Sequence, residues 1–318
     1  MESRRFDVII YGASGYTGKL VTEYFMKNVK DTKWAIAGRR DKAKLELVAG
    51  NMAASIPIVL ASTDDSDALT EMARQAVVVI NCVGPFVLYG ESVVRACIDT
   101  RTHYVDITGE PAFMNRVQRV FGAEAKEAGV LVVSGCGFDS VPADMGAYFT
   151  EEFFETDRDV PVDIKASVFF FSSLGLGSLG GMSHGTFTTF LTSFQQANEA
   201  KKRQKQKEIA EAASEKSKDD KSPAKAPKKK PSNPPTWHFD EERKRYLVPM
   251  YVADPFVVRR SAQLLGGRKV KKYTHYFESG NLFSFLWIIF LFDYVMMMLV
   301  RYEWGRQVLS WFKTEGSG

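Results

Sequence analysis

The apolar run Phe6 to Tyr11 is followed at once by Gly12-Ala-Ser-Gly15-Tyr-Thr-Gly18, and no other stretch limits the fold of this chain so tightly. Three glycines at intervals of three, placed where a strand ends and a helix opens, let backbone N–H groups approach a phosphate while the positive end of the helix faces its charge. The spacing is a variant of the usual dinucleotide fingerprint, and its position after the amino-terminal strand gives it weight that the bare pattern lacks. Gly12, Ser14, Gly15, Tyr16, Thr17 and Gly18 are the first candidate cofactor-binding residues. The alternative is a tight turn that needs glycine only for its own geometry.

From there to about residue 150, short apolar runs alternate with segments of helical period. Strands are expected near 6 to 11, 33 to 38, 57 to 60, 77 to 81, 103 to 107 and 130 to 134, with helices over Tyr16 to Lys27, Ser66 to Gln75, Glu91 to Asp99 and Ala112 to Ala128. In the last of these, Phe113, Val117 and Phe121 recur every four residues and make one apolar stripe to lay on a sheet. Strict alternation of this kind predicts an α/β fold, a Rossmann-type doubly wound parallel sheet, over 1–150. Beyond it the rhythm changes. Val162 to Phe170 reads as a strand with Val162, Ile164, Ala166, Val168 and Phe170 on one face, and opens a second α+β domain over 151–281. Ser183 to Asn198 has helical spacing.

Charge is unevenly spread. The formal net charge is +4, but Glu199 to Lys230 holds 12 Lys or Arg against 6 Asp or Glu, which leaves the rest of the chain at −2. A folded part of that sign argues against a nucleic-acid partner. Residues 199–235 have almost no large apolar side chain to offset the entropy of ordering, and read as a disordered basic insertion. Cys82, Cys97 and Cys136 form no Cys-x-x-Cys pair, as suits a reducing compartment, and no metal site is written; His103 and His184 lack ligand neighbours. Met1 to Arg5 leave no room for a secretory signal ahead of the first strand, so synthesis in the cytosol is expected.

The carboxyl ends of the expected strands carry the chemistry. The second ends in Ala37-Gly38-Arg39-Arg40, where an NAD site would often place a carboxylate. Two guanidinium groups suit bidentate pairing with a 2′-phosphate and stacking on adenine, which points to NADP(H); the alternative is that they solvate the next helix. Asp64, past the third strand, suits either the adenine edge or a helix cap. Asn81-Cys-Val-Gly84-Pro85 is expected to run along the ribose and nicotinamide, with Gly84 allowing close approach, so Asn81, Gly84 and Pro85 join the cofactor set. Tyr89, Asp106, Glu110 and Asp139 are the polar groups nearest the expected nicotinamide, and each is a candidate to relay a proton while the cofactor moves hydride. Tyr89 as proton donor, or Asp139 holding a water, are the candidate catalytic residues. For Asp139 and Ser140 the alternative is a cap on the helix that Pro142 opens, and for Cys136 a small buried residue.

Residues 282–318 form a third segment. Leu282 to Val300 is nearly all Leu, Ile, Phe, Trp and Met, long enough for a bilayer core but with Asp293 in its middle, which costs about 2.5 to 3.5 kcal/mol on insertion. A lipid-surface contact, a buried helix or homodimer interface, and a full span are the readings it allows.

Taken together, GASGYTGKLV, AGRRDKAKLE, VVINCVGPFVLYGESVVRAC, YVDITGEP and GFDSVPADMG resemble the saccharopine dehydrogenase-like oxidoreductases. The resemblance is close over the amino-terminal half and looser from there to GRQVL. It implies an NADP-linked reductase, with Gly12, Gly15, Gly18, Arg39 and Arg40 matching the family's cofactor positions. It also implies kinship with trans-acting enoyl reductases of lipid and glycolipid assembly, and association with lipid droplets, mitochondria and membranes. Relatives extend beyond the position of Gly318, with a carboxyl-terminal segment that packs back on the cofactor domain. The expected activity is NADP(H)-dependent reduction of a hydrophobic or lipid-related substrate at a membrane or lipid-droplet surface. A non-catalytic lipid-surface scaffold and a true saccharopine dehydrogenase are the alternatives.

Overall fold

The computed structural model describes residues 4–39, 41–50, 55–138, 140–153, 162–168, 237–250, 253–266, 270–290, 298–299, 302, 304–305 and 307. Six parallel strands, β1 (Phe6–Tyr11), β2 (Trp34–Gly38), β3 (Ile58–Leu60), β4 (Ala76–Asn81), β5 (His103–Asp106) and β6 (Val132–Val133), form one sheet in the order β3-β2-β1-β4-β5-β6. In its register Ile9 lies between Ala35 and Val79.

Strand β1 is apolar at consecutive positions because both of its faces are covered. Ile9 and Tyr11 face one core, and Ile10 faces the other. Helices α1 (Tyr16–Asn28) and α2 (Lys42–Ala49) cover the Ile10 side through Val21, Phe25, Leu45 and Ala49. Helices α3 (Ser66–Arg74), α4 (Phe86–Asp99) and α5 (Pro111–Ala128) cover the Ile9 side. The four-residue stripe of α5 is buried as its spacing predicts, Phe113 completely, at a gain of roughly 1.5–3 kcal/mol for such a side chain. Helices on both faces make the sheet doubly wound. The strand order turns between β1 and β4, so the carboxyl ends of these two strands open the crevice where such folds bind ligands.

Local chemistry sets the helix starts. Asp41 accepts from the Lys44 N–H and Asp65 from the Ala68 N–H, each at 3.0 Å, so α2 and α3 begin at side-chain caps. Helix α2, expected after Arg40 without stated bounds, is short and charged and gives only a weak period. Helix α4 begins five residues before the expected Glu91, at Phe86, for a reason that lies elsewhere in the chain and is given below.

A second sheet is built from β7 (Val162–Val168), β8 (His238–Asp240), β9 (Arg245–Pro249) and β10 (Val270–Ser279) in the order β7-β10-β9-β8, with β7 parallel to β10 and the rest antiparallel. It is accompanied by α6 (Val141–Phe153), α7 (Asp254–Leu265) and α8 (Leu282–Ile289). Ala147 of α6, Val258 of α7 and Tyr273 of β10 form a small core, against which Ile164 and Ala166 of the expected strand face pack. Glu151 accepts the Val270 N–H at 2.8 Å, and the Ser261 hydroxyl donates to Asp144 at 2.6 Å. Helix α6 thus leaves the first sheet at β6 and docks on the second. The expected helix over Ser183 to Asn198, the basic insertion at 199–235 and positions 291–297 of the apolar segment lie outside the described residues. Among the described residues no helix is long and apolar enough to cross a membrane.

Candidate functional site

The glycine turn sits at the carboxyl end of β1. Gly12 has φ +87°, a left-handed conformation, and a β-carbon there would lie 2.7 Å from Val83 Cγ2 and 3.1 Å from the Cys82 carbonyl carbon. A β-carbon on Gly18 would overlap the Gly12 carbonyl and lie 2.8 Å from the Ala13 Cα, so the third glycine lets α1 seat directly on the turn. The Gly15 N–H donates to the Gly12 carbonyl at 3.0 Å, and Gly15 caps α1 with no side chain. The first helical hydrogen bond is from the Lys19 N–H to the Gly15 carbonyl, at 2.9 Å. The N–H groups of Tyr16, Thr17 and Gly18 therefore have no partner within the helix and form an anion-binding end. Ser14 and Thr17 are half-buried beside them, and Tyr16 is exposed.

Strand β2 delivers Arg39 to the same rim. Its exposed guanidinium lies over the ring of Tyr89, 5.3 Å from the centroid. Beneath them the buried Tyr11 hydroxyl donates to the Ala61 carbonyl at 3.0 Å. Burial holds that phenol well above its usual pKa, with Arg39 pulling it down and Asp64 pushing it up, so both charges act on one hydroxyl. Asp64 accepts a hydrogen bond from the Ser62 hydroxyl, and the helix cap, one of its two expected roles, falls instead to Asp65. Tyr89, expected beside the nicotinamide, is brought to the Arg39 end of the crevice. Arg40 and Asp139 lie outside the described residues.

The loops after β4, β5 and β6 are held by buried polar side chains. Asn81 is fully buried, donating through Nδ2 to the Tyr104 hydroxyl at 3.1 Å and accepting the Val83 N–H at 2.9 Å. It shapes the Asn81 to Pro85 turn, leaving Gly84 exposed and Pro85 buried, with the Gly84–Pro85 peptide cis. Asp106 accepts from the N–H groups of Thr108 at 3.0 Å and Gly135 at 2.9 Å and from the Ser134 hydroxyl at 3.0 Å, tying the end of β5 to the end of β6. Burial raises its pKa and these hydrogen bonds oppose the rise. Glu110, buried, accepts the N–H groups of Phe86 at 2.8 Å and Val87 at 3.0 Å. That contact caps α4 and explains its early start. The sequence offered Asp106 and Glu110 as proton relays; both carboxylates are engaged with backbone N–H groups, and they hold the loops of the crevice in place. Nothing in the local sequence marks Glu110 as the cap of α4, because the N–H groups it accepts lie 24 residues away and its Pro111 neighbour points only to α5.

Ser140 heads α6 through its carbonyl, which accepts the Asp144 N–H at 2.9 Å, while its buried hydroxyl has no partner among the described residues, so it is not the side-chain cap that was one of its expected roles. The Cys82 thiol is pushed up to about 12, first by burial and then by Asp106. His103 accepts the Leu131 N–H through Nδ1 at 3.1 Å. Among the described residues no group of three or more His, Cys, Asp or Glu is arranged to hold a metal ion.

Comparison with known proteins gives this geometry a family. Residues 8–133 match the saccharopine dehydrogenase NADP-binding domain. Over 99% of its length the chain is 31% identical to the saccharopine dehydrogenase-like oxidoreductase of Homo sapiens, covering 74% of that protein. The chain belongs to the saccharopine dehydrogenase-like oxidoreductases. Over 98% of its length it is also 34% identical to a lipid droplet localized protein of Caenorhabditis elegans, 72% of which is covered. It is 40% identical over 46% of its length to a protein named as a trans-acting enoyl reductase in Mycobacterium tuberculosis, covering 35% of that protein.

The cofactor of this saccharopine dehydrogenase-like oxidoreductase is NADP(H), and the cleft fits it. A side chain on Gly12 would collide with Val83 and one on Gly18 with the turn itself, so only glycine lets the turn and the start of α1 pack this closely; the first-turn N–H groups of α1 have no acceptor within the helix, and a guanidinium stands where β2 ends.

Proposed function

We propose that the chain is an NADPH-dependent reductase of an apolar, lipid-derived substrate, such as the carbon–carbon double bond of an unsaturated acyl group, and that it works at a lipid surface. The observation that carries the reading is the outer face of α6. Ala143 and Ala147 of that helix face the second sheet, whereas Val141, Met145, Phe149 and Phe153, at four-residue intervals, are exposed, the two phenylalanines at 71% and 77%. The stripe starts at the rim formed by the Asp106 loop, and Phe138 just before it is 75% exposed. An apolar stripe on the ligand-binding rim suits an acyl chain and offers nothing to a multiply charged amino acid. Phe283, Leu286 and Trp287 of α8 are also exposed and suit a lipid surface. The names of the worm and mycobacterial relatives support the same direction.

In this reading the N–H groups of Tyr16, Thr17 and Gly18 hold the pyrophosphate, and Arg39, with Arg40, meets the 2′-phosphate. Asn81 fixes the turn along the ribose and nicotinamide, while Asp106 and Glu110 keep the loops from moving. When bound, NADPH supplies the hydride. Because Tyr89 lies against Arg39, we assign the accompanying proton to water held by Asp139.

The test offers purified protein NADPH deuterated at its transferable position, with unsaturated acyl lipids in one set of reactions and the products of the saccharopine reaction in another. Deuterium in a saturated lipid product is the expected result. Deuterium in saccharopine alone would overturn the lipid reading, and label that stays on a tightly bound cofactor with every substrate would favour the scaffold.

A further inference from the structure

We propose that Tyr89 is a positioning residue for cofactor choice: its ring holds the Arg39 guanidinium at the mouth of the crevice and so sets the preference for NADPH over NADH. The inference rests on the reading of Arg39 as the partner of the 2′-phosphate.

The two residues differ in how firmly they are held. Arg39 is exposed, on a long side chain with many rotamers, and a phosphate that captured it unaided would have to order it. Tyr89 is presented by a helix fixed on several sides. Its N–H donates to the Pro85 carbonyl at 3.1 Å, and its own carbonyl accepts the Ser92 hydroxyl at 3.0 Å. The turn before it is capped by Glu110. The next residue, Gly90, lies so close to α5 that a β-carbon there would come within 2.6 Å of the Phe113 ring. The turn that carries the ring is therefore fixed, and the guanidinium 5.3 Å from the ring centroid rests against a side chain with only two rotatable bonds on that fixed turn.

The contact does not compete with phosphate binding. A guanidinium carries five N–H donors, and a cation–π contact at 5.3 Å leaves donors available to phosphate oxygens. The ring thus favours one place for the cation without using up its donors. NADH has a hydroxyl where NADPH has the 2′-phosphate and gains little from an ordered guanidinium, so the effect falls on one nucleotide and appears as selectivity. A role for the Tyr89 hydroxyl in proton transfer would leave a different signature, because removing the hydroxyl alone would then matter.

The experiment is a set of equilibrium titrations with NADPH and NADH on the parent chain, Tyr89→Phe, Tyr89→Leu, Arg39→Ala and the Arg39→Ala/Tyr89→Leu pair, with thermal melts to verify folding. Tyr89→Leu is expected to weaken NADPH by roughly two- to fivefold and to leave NADH unchanged. Tyr89→Phe keeps the aromatic face and is expected to match the parent. In the Arg39→Ala background, Tyr89→Leu is expected to have no further effect on either nucleotide. Equal weakening of NADPH and NADH by Tyr89→Leu would mean that the ring only packs, and would overturn the proposal. So would a loss of NADPH preference in Tyr89→Phe, a result that stands even if the leucine variant does not fold. A parent that binds NADPH no better than NADH would overturn the reading of Arg39 and this proposal with it.

Discussion

The Glu110 carboxylate accepts the backbone N–H groups of Phe86 and Val87, at 2.8 and 3.0 Å, and so caps a helix that begins 24 residues earlier in the chain. Removing it leaves two N–H groups without an acceptor at the positive end of α4. Glu110→Ala is expected to cost about 2 kcal/mol, read as a lower urea midpoint, and Glu110→Gln, which keeps one carbonyl oxygen, about half of that. If Glu110 were a proton relay instead, the glutamine variant would keep its stability and lose turnover.

Gly15 and Gly18 should separate cofactor binding from folding. A β-carbon on Gly18 overlaps the Gly12 carbonyl, so Gly18→Ala must displace α1 or the turn and is expected to lower stability by about 1–3 kcal/mol along with NADPH affinity. On Gly15 the nearest atom to a β-carbon is the Gly12 carbonyl oxygen at 3.3 Å, a contact that a small shift relieves. Gly15→Val is expected to keep the melting temperature within a few degrees and to weaken NADPH at least about tenfold, because its bulk stands where the pyrophosphate approaches.

The three thiols should react in a fixed order with an alkylating reagent. Cys136, read from the sequence as a small buried residue, is exposed, Cys82 is half-buried and Cys97 buried. Burial, and then the Asp106 charge, push the Cys82 thiol up to about 12, so near pH 8 only about one molecule in ten thousand carries a thiolate there. Its labelling rate is expected to rise about tenfold per pH unit across the alkaline range. Peptide mapping after brief alkylation should find Cys136 labelled first, and early labelling of Cys82 near neutral pH would contradict the placement of its turn.

Attachment to lipid is expected to depend on α8. Phe283, at 79% exposure, and Trp287, at 42%, present apolar area that association with an oil surface would remove from water. A Phe283→Ser/Trp287→Ser pair is expected to lower partitioning onto phospholipid-coated triacylglycerol droplets by about tenfold, measured by flotation, with NADPH affinity unchanged.

Much of the amino-terminal domain was legible because its signals are local. The apolar strands, the glycine turn and the Phe113, Val117, Phe121 stripe each declare themselves within a few residues, and all appear where the pattern puts them. What was not legible depends on contacts across the chain. Glu110 reaches back to Phe86, Asp106 reaches forward to Gly135, and the ring of Tyr89 meets Arg39 only because β2 ends and α4 begins at one rim. Acidic residues beside an expected nicotinamide read as acids and bases until their backbone partners are known. Helix α2 was expected only as the helix after Arg40, because eight residues with three charges carry too little period to fix its bounds.

The most direct test of the central claim, an NADP(H) site read by Arg39 at the end of β2, is a calorimetric comparison of NADPH and NADH binding to the parent chain and to Arg39→Ala. The account predicts that the parent binds NADPH at least about tenfold more tightly than NADH and that Arg39→Ala removes most of that difference while leaving NADH nearly unchanged. Equal binding of the two nucleotides by the parent, or an Arg39→Ala variant with its preference intact, would contradict it.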